Sequence, residues 1–202
     1  MKYKIIITII LFIFSFLLIK CGVFFIKEND SLMKTLKEKQ NEYNKDFVDA
    51  IITEHTMIPG ISGKKINLNK SYQKMKGINE FKKSLLVFDE IKPNKTISNV
   101  FDKVIISGNP KLNKISIITN LNDDYCYTEN LSIEKECMDK KKHTLLIYKI
   151  NNDYLTNIKQ IIKNGILIYL SLENNSSELK IIVKYLKNNN YKIVTPKELI
   201  SE

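Results

Sequence analysis

The chain has 202 residues, of which 44% are hydrophobic and 27% are charged, and its net charge at pH 7 is +10. Its 32 basic residues are all lysine, and it contains neither arginine nor tryptophan. Nucleic-acid readers use clustered arginine for paired contacts to bases and phosphates, so this composition predicts no nucleic-acid partner. We interpret the charge as a solvated surface, with weak attraction to anionic lipid or wall polymer as the alternative.

The N-terminal segment is an apolar run. The stretch from Ile5 to Ile26 contains one charge, Lys20, and as a helix it would be about 33 Å long, enough to cross a bilayer. It predicts a transmembrane anchor over residues 1–27, with the lipid bilayer as a partner. A cleaved signal peptide is less favoured because no Ala-x-Ala-like step follows the run. Lipidation at Cys21 is a further alternative, although a bulky lysine precedes that cysteine where a small residue belongs.

Residues 28–112 have the pattern of a stalk followed by a small mixed module. Apolar residues at helical spacing after Asp30 predict a polar stalk helix within residues 28–46. Residues 47–112 are typical of a small α+β module, with Pro59-Gly-Ile-Ser-Gly63 as a turn. Its predicted strands are 47–53, 85–88 and 104–107, and its predicted helix is 69–75.

The segment 113–202 alternates between strands and helices. The predicted strands are 115–119, 144–148, 166–170 and 191–194. The predicted helices are 131–138, 153–163, one that opens at Ser176, and one that begins with the capping box Thr195-Pro-Lys-Glu198. Apolar strands separated by amphipathic helices favour a parallel sheet, and about four strands cannot close a barrel.

Few residues carry an obvious chemistry. The two histidines, His55 and His143, are far apart in sequence, so no histidine pair shares a helix face, and no glycine-rich phosphate loop is present. Asp123 and Asp124 follow the strand 115–119, at the position where α/β folds carry function. They are the weak catalytic candidates of this sequence, and a solvated turn is the alternative interpretation.

The cysteines outside the apolar run are Cys126 and Cys137. Two cysteines without a four-ligand set do not predict a metal site. A disulfide between them and a pair of free thiols are both compatible with the sequence.

Two regions of the chain resemble a known family. The first region comprises Ile58-Pro-Gly-Ile-Ser-Gly-Lys-Lys-Ile-Asn-Leu-Asn-Lys-Ser-Tyr-Gln-Lys-Met-Lys76, Ser84-Leu-Leu-Val-Phe-Asp-Glu-Ile-Lys-Pro93 and Ile105-Ile-Ser-Gly-Asn109, and the second comprises Tyr125-Cys-Tyr-Thr-Glu129, Cys137 and residues 179–202. Together they resemble bacterial membrane-anchored polysaccharide deacetylase-like proteins, which carry the NodB-homology domain. The resemblance implies a distorted (β/α) barrel outside the cytoplasm that uses a divalent metal, typically zinc, to remove acetyl groups from wall polysaccharide.

The catalytic motifs of that family are not matched here. Strand 115–119 corresponds to the first barrel strand, but Thr119-Asn-Leu-Asn122 replaces the family's acidic motif and Asp123-Asp124 is offset. The family's second motif, which supplies two histidine ligands, has no counterpart, and a central part of the domain is missing. We therefore predict no metal cofactor and no hydrolysis.

The sequence thus predicts an α/β protein with an N-terminal transmembrane helix, a small α+β module, and a truncated (β/α) barrel-like parallel sheet of about four strands at 113–202. We expect a single-pass cell-envelope protein with an extracytoplasmic domain and a degenerate deacetylase-like site. The alternatives are a non-catalytic cell-surface protein that binds cell-wall polysaccharide or serves as a scaffold, and an enzyme completed by histidines from another chain.

Overall fold

The computed structural model of the protein describes residues 2–171 and 176–202. The helices are α1 (Lys2–Asn29), α2 (Ser31–Glu38), α3 (Gln40–Tyr43), α4 (Leu68–Met75), α5 (Lys135–Asp139), α6 (Tyr154–Ile161), α7 (Ser176–Asn188) and α8 (Pro196–Ile200), with a 3₁₀ turn at Lys83–Leu85. The strands are β1 (Ile51–Ile52), β2 (Thr56–Ile58), β3 (Gly63–Ile66), β4 (Phe88–Ile91), β5 (Val104–Ile105), β6 (Lys114–Ile118), β7 (Cys126–Thr128), β8 (Thr144–Leu146), β9 (Tyr148–Ile150), β10 (Leu167–Leu170) and β11 (Lys192–Val194).

The chain divides into two compact units. The first consists of Met1–Asp46 and Lys64–Glu90, and the second consists of Phe47–Gly63 and Ile91–Glu202. In this division residues 47–63 and 91–112 belong with the C-terminal part of the chain.

The first unit is built on the packing of α2 against α4. Its buried core residues are Leu32, Met33, Leu36, Tyr72 and Met75. The Asp30 carboxylate accepts the backbone N–H of Leu32 at 2.8 Å and the hydroxyl proton of Tyr72 at 3.1 Å. One carboxylate therefore caps α2 and also ties α4 to it.

The second unit contains two sheets. The first has the strand order β1-β2-β5-β8-β7, with β1 and β2 antiparallel and the other pairs parallel. The second has the order β11-β6-β10-β9 and is parallel throughout. The β8 and β9 strands are nearly continuous in sequence, yet they belong to different sheets, so the predicted strand 144–148 is divided at Ile147.

Two apolar clusters hold the second unit together. The first cluster includes Met57 of β2, Ile105 of β5, Leu145 of β8, Leu167 of β10 and Leu199 of α8, all at most 3% exposed. The second packs α6 and α7 on the four-stranded sheet, and it consists of Ile115, Ile150, Ile158, Ile166, Ile168, Leu170, Ile182 and Leu186. Ile182 and Leu186 are the residues of α7 that are buried in this cluster, and Leu179 packs against it.

The last residue of the chain joins distant segments of the second unit. The Glu202 carboxylate accepts the backbone N–H groups of Gly60 and Ile97, each at 3.0 Å. The preceding helix α8 begins with the predicted capping box, in which the Thr195 hydroxyl accepts the N–H of Glu198 at 3.2 Å, so this prediction is confirmed.

Several sequence predictions are wrong. A bilayer span needs about 20 consecutive, predominantly apolar residues. In the described part of the chain no helix is both long and apolar enough to cross a membrane, and Lys20 falls within the apolar run. The predicted anchor over residues 1–27 and the single-pass membrane localisation are thus contradicted. The predicted fold class, which included a transmembrane helix, is also wrong. The observed fold is a mixed α/β fold with parallel sheets.

The predicted helix at 131–138 is shorter than its sequence suggested. The helix α5 begins at Lys135, and the residues before it form a turn. In that turn the Asn130 side-chain oxygen accepts the backbone N–H of Ser132 at 2.7 Å. A side-chain acceptor of this kind competes with the hydrogen bonds of a helix. The helix therefore begins at Lys135 and not at residue 131.

Gly165 provides a test of the second unit. It has a φ of +83°, and a Cβ placed there would lie 2.3 Å from the carbonyl oxygen of Gly108. We expect Gly165→Ala to lower the free energy of unfolding by at least about 2 kcal/mol, because the left-handed backbone and the clash both oppose a side chain. Urea denaturation followed by circular dichroism measures the change.

The matched control is Gly77→Ala. A Cβ at Gly77 meets no atom within 4 Å. Because alanine reduces the conformational freedom of the unfolded chain, this variant is expected to be neutral or more stable by up to about 1 kcal/mol. Equal destabilisation by the two substitutions would contradict the assigned role of Gly165.

Candidate functional site

The predicted catalytic candidates lie in the connection between β6 and β7. Asp123 and Asp124 are exposed there, several residues beyond the end of β6. The Asp124 carboxylate accepts a hydrogen bond from the Asn122 side-chain amide at 3.3 Å, and the Asp123 carbonyl oxygen accepts one from Lys142. These contacts organise a turn.

The histidines do not complete a metal site. The side chain of His55 is 73% exposed and lies 3.8 Å from Glu54, whereas His143 stacks on Phe101 with 4.8 Å between ring centroids. Burial lowers the pKa of His143, although a hydrogen bond with the Val100 backbone opposes this change. Among the residues that the structure describes, no three His, Cys, Asp or Glu side chains converge on a point. The residues present therefore do not fit the divalent metal that the family resemblance implies.

Apolar and aromatic side chains occupy the position beside the end of β6. Ile118, Tyr125, Tyr127 and Tyr169 are partly buried and pack on the first apolar cluster of the second unit. The Tyr127 hydroxyl donates to the Asn122 side-chain oxygen at 2.7 Å. Burial raises the pKa of Tyr125 and of Tyr127, so both hydroxyls remain protonated at neutral pH. This end of the sheet offers neutral donors and ring surfaces.

Cys126 and Cys137 are joined by a disulfide, with 6.2 Å between their Cα atoms. Cys126 lies on β7, and Cys137 is a buried residue of α5. The bond closes a short loop that contains Glu129, which directly follows β7. The bond thereby restrains the segment that carries Glu129.

A cleft of about 520 Å³ lies at the carboxyl ends of β7 and β9. Its polar lining is formed by Glu129, Lys149, Asn151, Asn152 and Asn157, together with the ring of Tyr148. Its apolar lining is formed by Ile147, Ile150 and Ile161. Clefts of this size at the carboxyl ends of parallel strands are the usual binding sites of α/β folds.

The charges in this cleft are paired. The Lys149 ammonium lies 3.9 Å from the Glu129 carboxylate. The Asn157 amide donates to the Asn152 carbonyl oxygen at 2.9 Å, which fixes the orientation of that side chain at the start of α6. Amide groups and a compensated ion pair suit an uncharged ligand that is rich in hydroxyl groups.

The sequence did not identify these cleft residues. Asn151 and Asn152 directly follow the observed strand β9, but the predicted strand ended at residue 148, so the sequence did not place them at the end of a strand. Glu129 and Lys149 carry no signal of a ligand site either, because they meet only when β7 and β8 pair in the folded chain.

Comparison by sequence gives a partial relative. No protein-family model matches the chain. Over 93 residues the chain is 31% identical to the uncharacterized protein YlxY of Bacillus subtilis (strain 168). The matched part is 46% of this chain and 29% of YlxY, so the chain spans less than a third of that relative.

Comparison by structure identifies the fold. The wild-type BA3943 protein of Bacillus anthracis, a CE4 family pseudoenzyme, matches with a TM-score of 0.61 and 15% identity, over 86% of this chain and 96% of that chain. A BA3943 mutant with restored enzymatic activity matches with a TM-score of 0.61 and 14% identity, over 86% of this chain and 99% of that chain. The likeness shows a polysaccharide deacetylase-like fold.

The disulfide is expected to stabilise the second unit. Replacing Cys126 and Cys137 by serine should lower the free energy of unfolding by about 3 kcal/mol, because the unfolded chain regains the freedom of the closed loop. Urea denaturation with and without reductant measures this effect. Reductant should bring the wild-type protein to the stability of the double variant and leave the variant unchanged. Two alkylatable thiols at these positions in the non-reduced protein would contradict the bond.

Proposed function

We propose that this protein is a non-catalytic, polysaccharide deacetylase-like protein that binds a neutral glycan in the cleft at the carboxyl ends of β7 and β9. The observation that carries the proposal is the composition of this cleft, in which amides, a paired ion and an aromatic ring surround about 520 Å³. The fold likeness to pseudoenzymes supports the same class of function.

The polar lining suits the hydroxyl and acetamido groups of a glycan. Each asparagine amide offers both a donor and an acceptor, so it can bind a sugar hydroxyl through two hydrogen bonds. The Lys149–Glu129 pair, with 3.9 Å between its charged groups, offers a further donor and acceptor without a net charge. An anionic ligand would gain no net attraction from such a pair.

The aromatic ring of Tyr148 supplies a surface for the apolar face of a sugar. Tyr148 lines the cleft and is half-buried against the second apolar cluster. The Lys163 ammonium lies 5.5 Å from the ring centroid and donates to the Tyr148 hydroxyl at 3.4 Å. Tyr148 therefore combines ring area with a hydroxyl group at the rim, a pairing typical of binding sites that are partly wet. Because the Lys163 contact restrains the Tyr148 ring, binding a sugar against this ring costs little side-chain conformational entropy.

The absence of catalysis follows from the acidic turn. Hydrolysis by a bound metal requires ligands that lower the pKa of a coordinated water. Asp123 and Asp124 are exposed in a turn, and His143 stacks on Phe101. These positions leave a metal-bound water without the ligands that activate it.

The first test measures metal content and acetate release. After incubation of the full chain with zinc and dialysis, we expect substoichiometric zinc by mass spectrometry. We expect acetate release from chitin oligosaccharides to equal that of buffer. Stoichiometric zinc, together with acetate release that is lost in Asp123→Ala or Asp124→Ala but kept in the control Asp139→Ala, would refute the non-catalytic assignment.

The second test measures glycan binding by titration calorimetry with chitin oligosaccharides. The double variant Asn151→Ala/Asn157→Ala should bind about tenfold more weakly, because it loses hydrogen bonds worth about 0.5–1.5 kcal/mol each. The matched control is Asn99→Ala, an exposed asparagine of another turn in the same unit. Absence of binding by the wild-type protein, or an equal loss in the control, would contradict the cleft assignment.

A further inference from the structure

The Cys126–Cys137 disulfide lies beside a small cavity of about 120 Å³. Both cysteines line this cavity, together with Tyr127, Thr128, Ser132, Glu134 and Thr144. Ser132 and Glu134 are exposed, so the cavity is at the surface of the protein. Its volume is sufficient for several water molecules. A small thiol can therefore approach the disulfide while the chain stays folded.

The two cysteines differ in their burial. Cys137 is 5% exposed, whereas Cys126 is only partly buried on β7, an edge strand of its sheet. A thiolate that enters through the cavity is therefore expected to attack Sγ of Cys126 and to release Cys137 as a thiolate. The second thiol of a dithiol reagent then attacks the mixed disulfide and frees Cys126. Two electrons and two protons pass from the dithiol to the protein, and the reagent leaves as its own disulfide.

The disulfide ties the short helix α5 to the sheet. Of the five residues of α5, Cys137 is the buried one. In the described structure the N-cap residue Glu134 makes no side-chain hydrogen bond that would cap the helix. Helices shorter than about 12–15 residues are marginal in water unless packing holds them. We therefore expect α5 and the turn that precedes it to become mobile when the disulfide is reduced.

Glu129 belongs to the segment that the disulfide closes. It directly follows Thr128, the last residue of β7, and its carboxylate lies 3.9 Å from the Lys149 ammonium in the cleft. The Ile147 N–H donates to the Thr128 carbonyl oxygen at 2.8 Å, and this bond between strands does not depend on the disulfide. Reduction therefore leaves Thr128 in place but frees residues 129–139 from their other attachment. Glu129 then spends less time beside Lys149, and the cleft is left with an unpaired positive charge.

We propose that Cys126–Cys137 is a site of thiol–disulfide exchange, at which a dithiol of the kind carried by disulfide oxidoreductases releases residues 129–139 and weakens ligand binding in the cleft. The effect on binding rests on the function proposed for the cleft, whereas the exchange reaction and the release of the segment do not. Binding and reduction are linked equilibria, so a bound glycan protects the disulfide by the same factor by which reduction weakens glycan binding.

The first measurement follows reduction of the full folded chain by dithiothreitol, which is stopped with N-ethylmaleimide and read by mass spectrometry. We expect Cys126 and Cys137 to become labelled at a rate that low concentrations of urea leave unchanged. A rate that rises in proportion to the unfolded fraction would show that the disulfide is reached only through unfolding, and it would overturn the exchange site.

The second measurement compares hydrogen exchange in the oxidised protein, the reduced protein and the double variant Cys126→Ser/Cys137→Ser. Both forms without the bond should exchange faster in residues 129–139, while β6 and β10 keep their protection. The double variant shows the effect without an alkyl label. Faster exchange throughout the second unit would indicate a general loss of stability and would overturn the local release.

The third measurement is titration calorimetry with chitin oligosaccharides. Reduction should weaken binding by about fivefold or more. Glu129→Gln should weaken binding in the oxidised protein, and reduction should add little further loss in this variant, because both changes act on the contact with Lys149. Equal affinity of the oxidised and reduced wild-type protein would overturn the regulation of the cleft.

The matched control is Gly165→Ala, which is expected to lower stability but keeps the disulfide and every residue of the cleft. It should bind the glycan like the oxidised wild-type protein, and an equal loss of affinity in this control would overturn the proposal by showing an effect of stability alone. Absence of binding by the oxidised wild-type protein would contradict the function proposed for the cleft. In that case labelling and hydrogen exchange still decide whether the exchange site and the released segment exist.

Discussion

Apolar packing between strands, α6, α7 and α8 is the constraint on which the second unit depends. Side chains from β2, β5, β8, β10 and α8 meet in one cluster, and each of its buried members is at most 9% exposed. Burial of one such side chain contributes about 1.5–3 kcal/mol. The strands themselves are short, most with three to five residues, so their own hydrogen bonds do not hold the two sheets in place. This packing fixes the ends of the strands and helices, and it therefore determines where the loops of the candidate site lie.

The same packing decides where polar chemistry can occur. A charged metal ligand inside an apolar cluster would lose its hydration without a compensating partner. The groups that do approach the cluster are uncharged in their packed part: the rings of Tyr125, Tyr127 and Tyr169 pack against it, and the Tyr127 hydroxyl donates to the Asn122 side-chain oxygen. Ionised groups lie further out, as Glu129 and Lys149 do in the cleft. The location of the cleft at the carboxyl ends of strands is thus a consequence of how the interior is filled.

The described surface of the second unit carries charges in two different arrangements, one paired and one with lysines alone. In the cleft, Lys149 and Glu129 lie 3.9 Å apart, so the site is nearly neutral. On α7 the lysines repeat without an acid between them. A composition with 32 lysines says nothing about this difference, because the net charge of +10 is a sum over the whole chain. The arrangement of charges, and not their number, distinguishes these two parts of the surface.

Local features of this protein were readable from its sequence. The capping box at Thr195, the strand 166–170 and the apolar face of α7 follow from residues within one turn or one strand, whose periodicity a sequence displays directly. The apolar N-terminal run shows the limit of that reasoning, since its composition predicted a membrane span and no helix of residues 2–171 and 176–202 is long and apolar enough for one. Tertiary structure alone decided which strands pair, why Ile147 divides one apolar run between two sheets, and how Glu202 reaches Gly60 across 142 positions. Such contacts depend on the free energy of the whole packed unit, and periodicity within a short segment carries no record of a partner so distant in the chain.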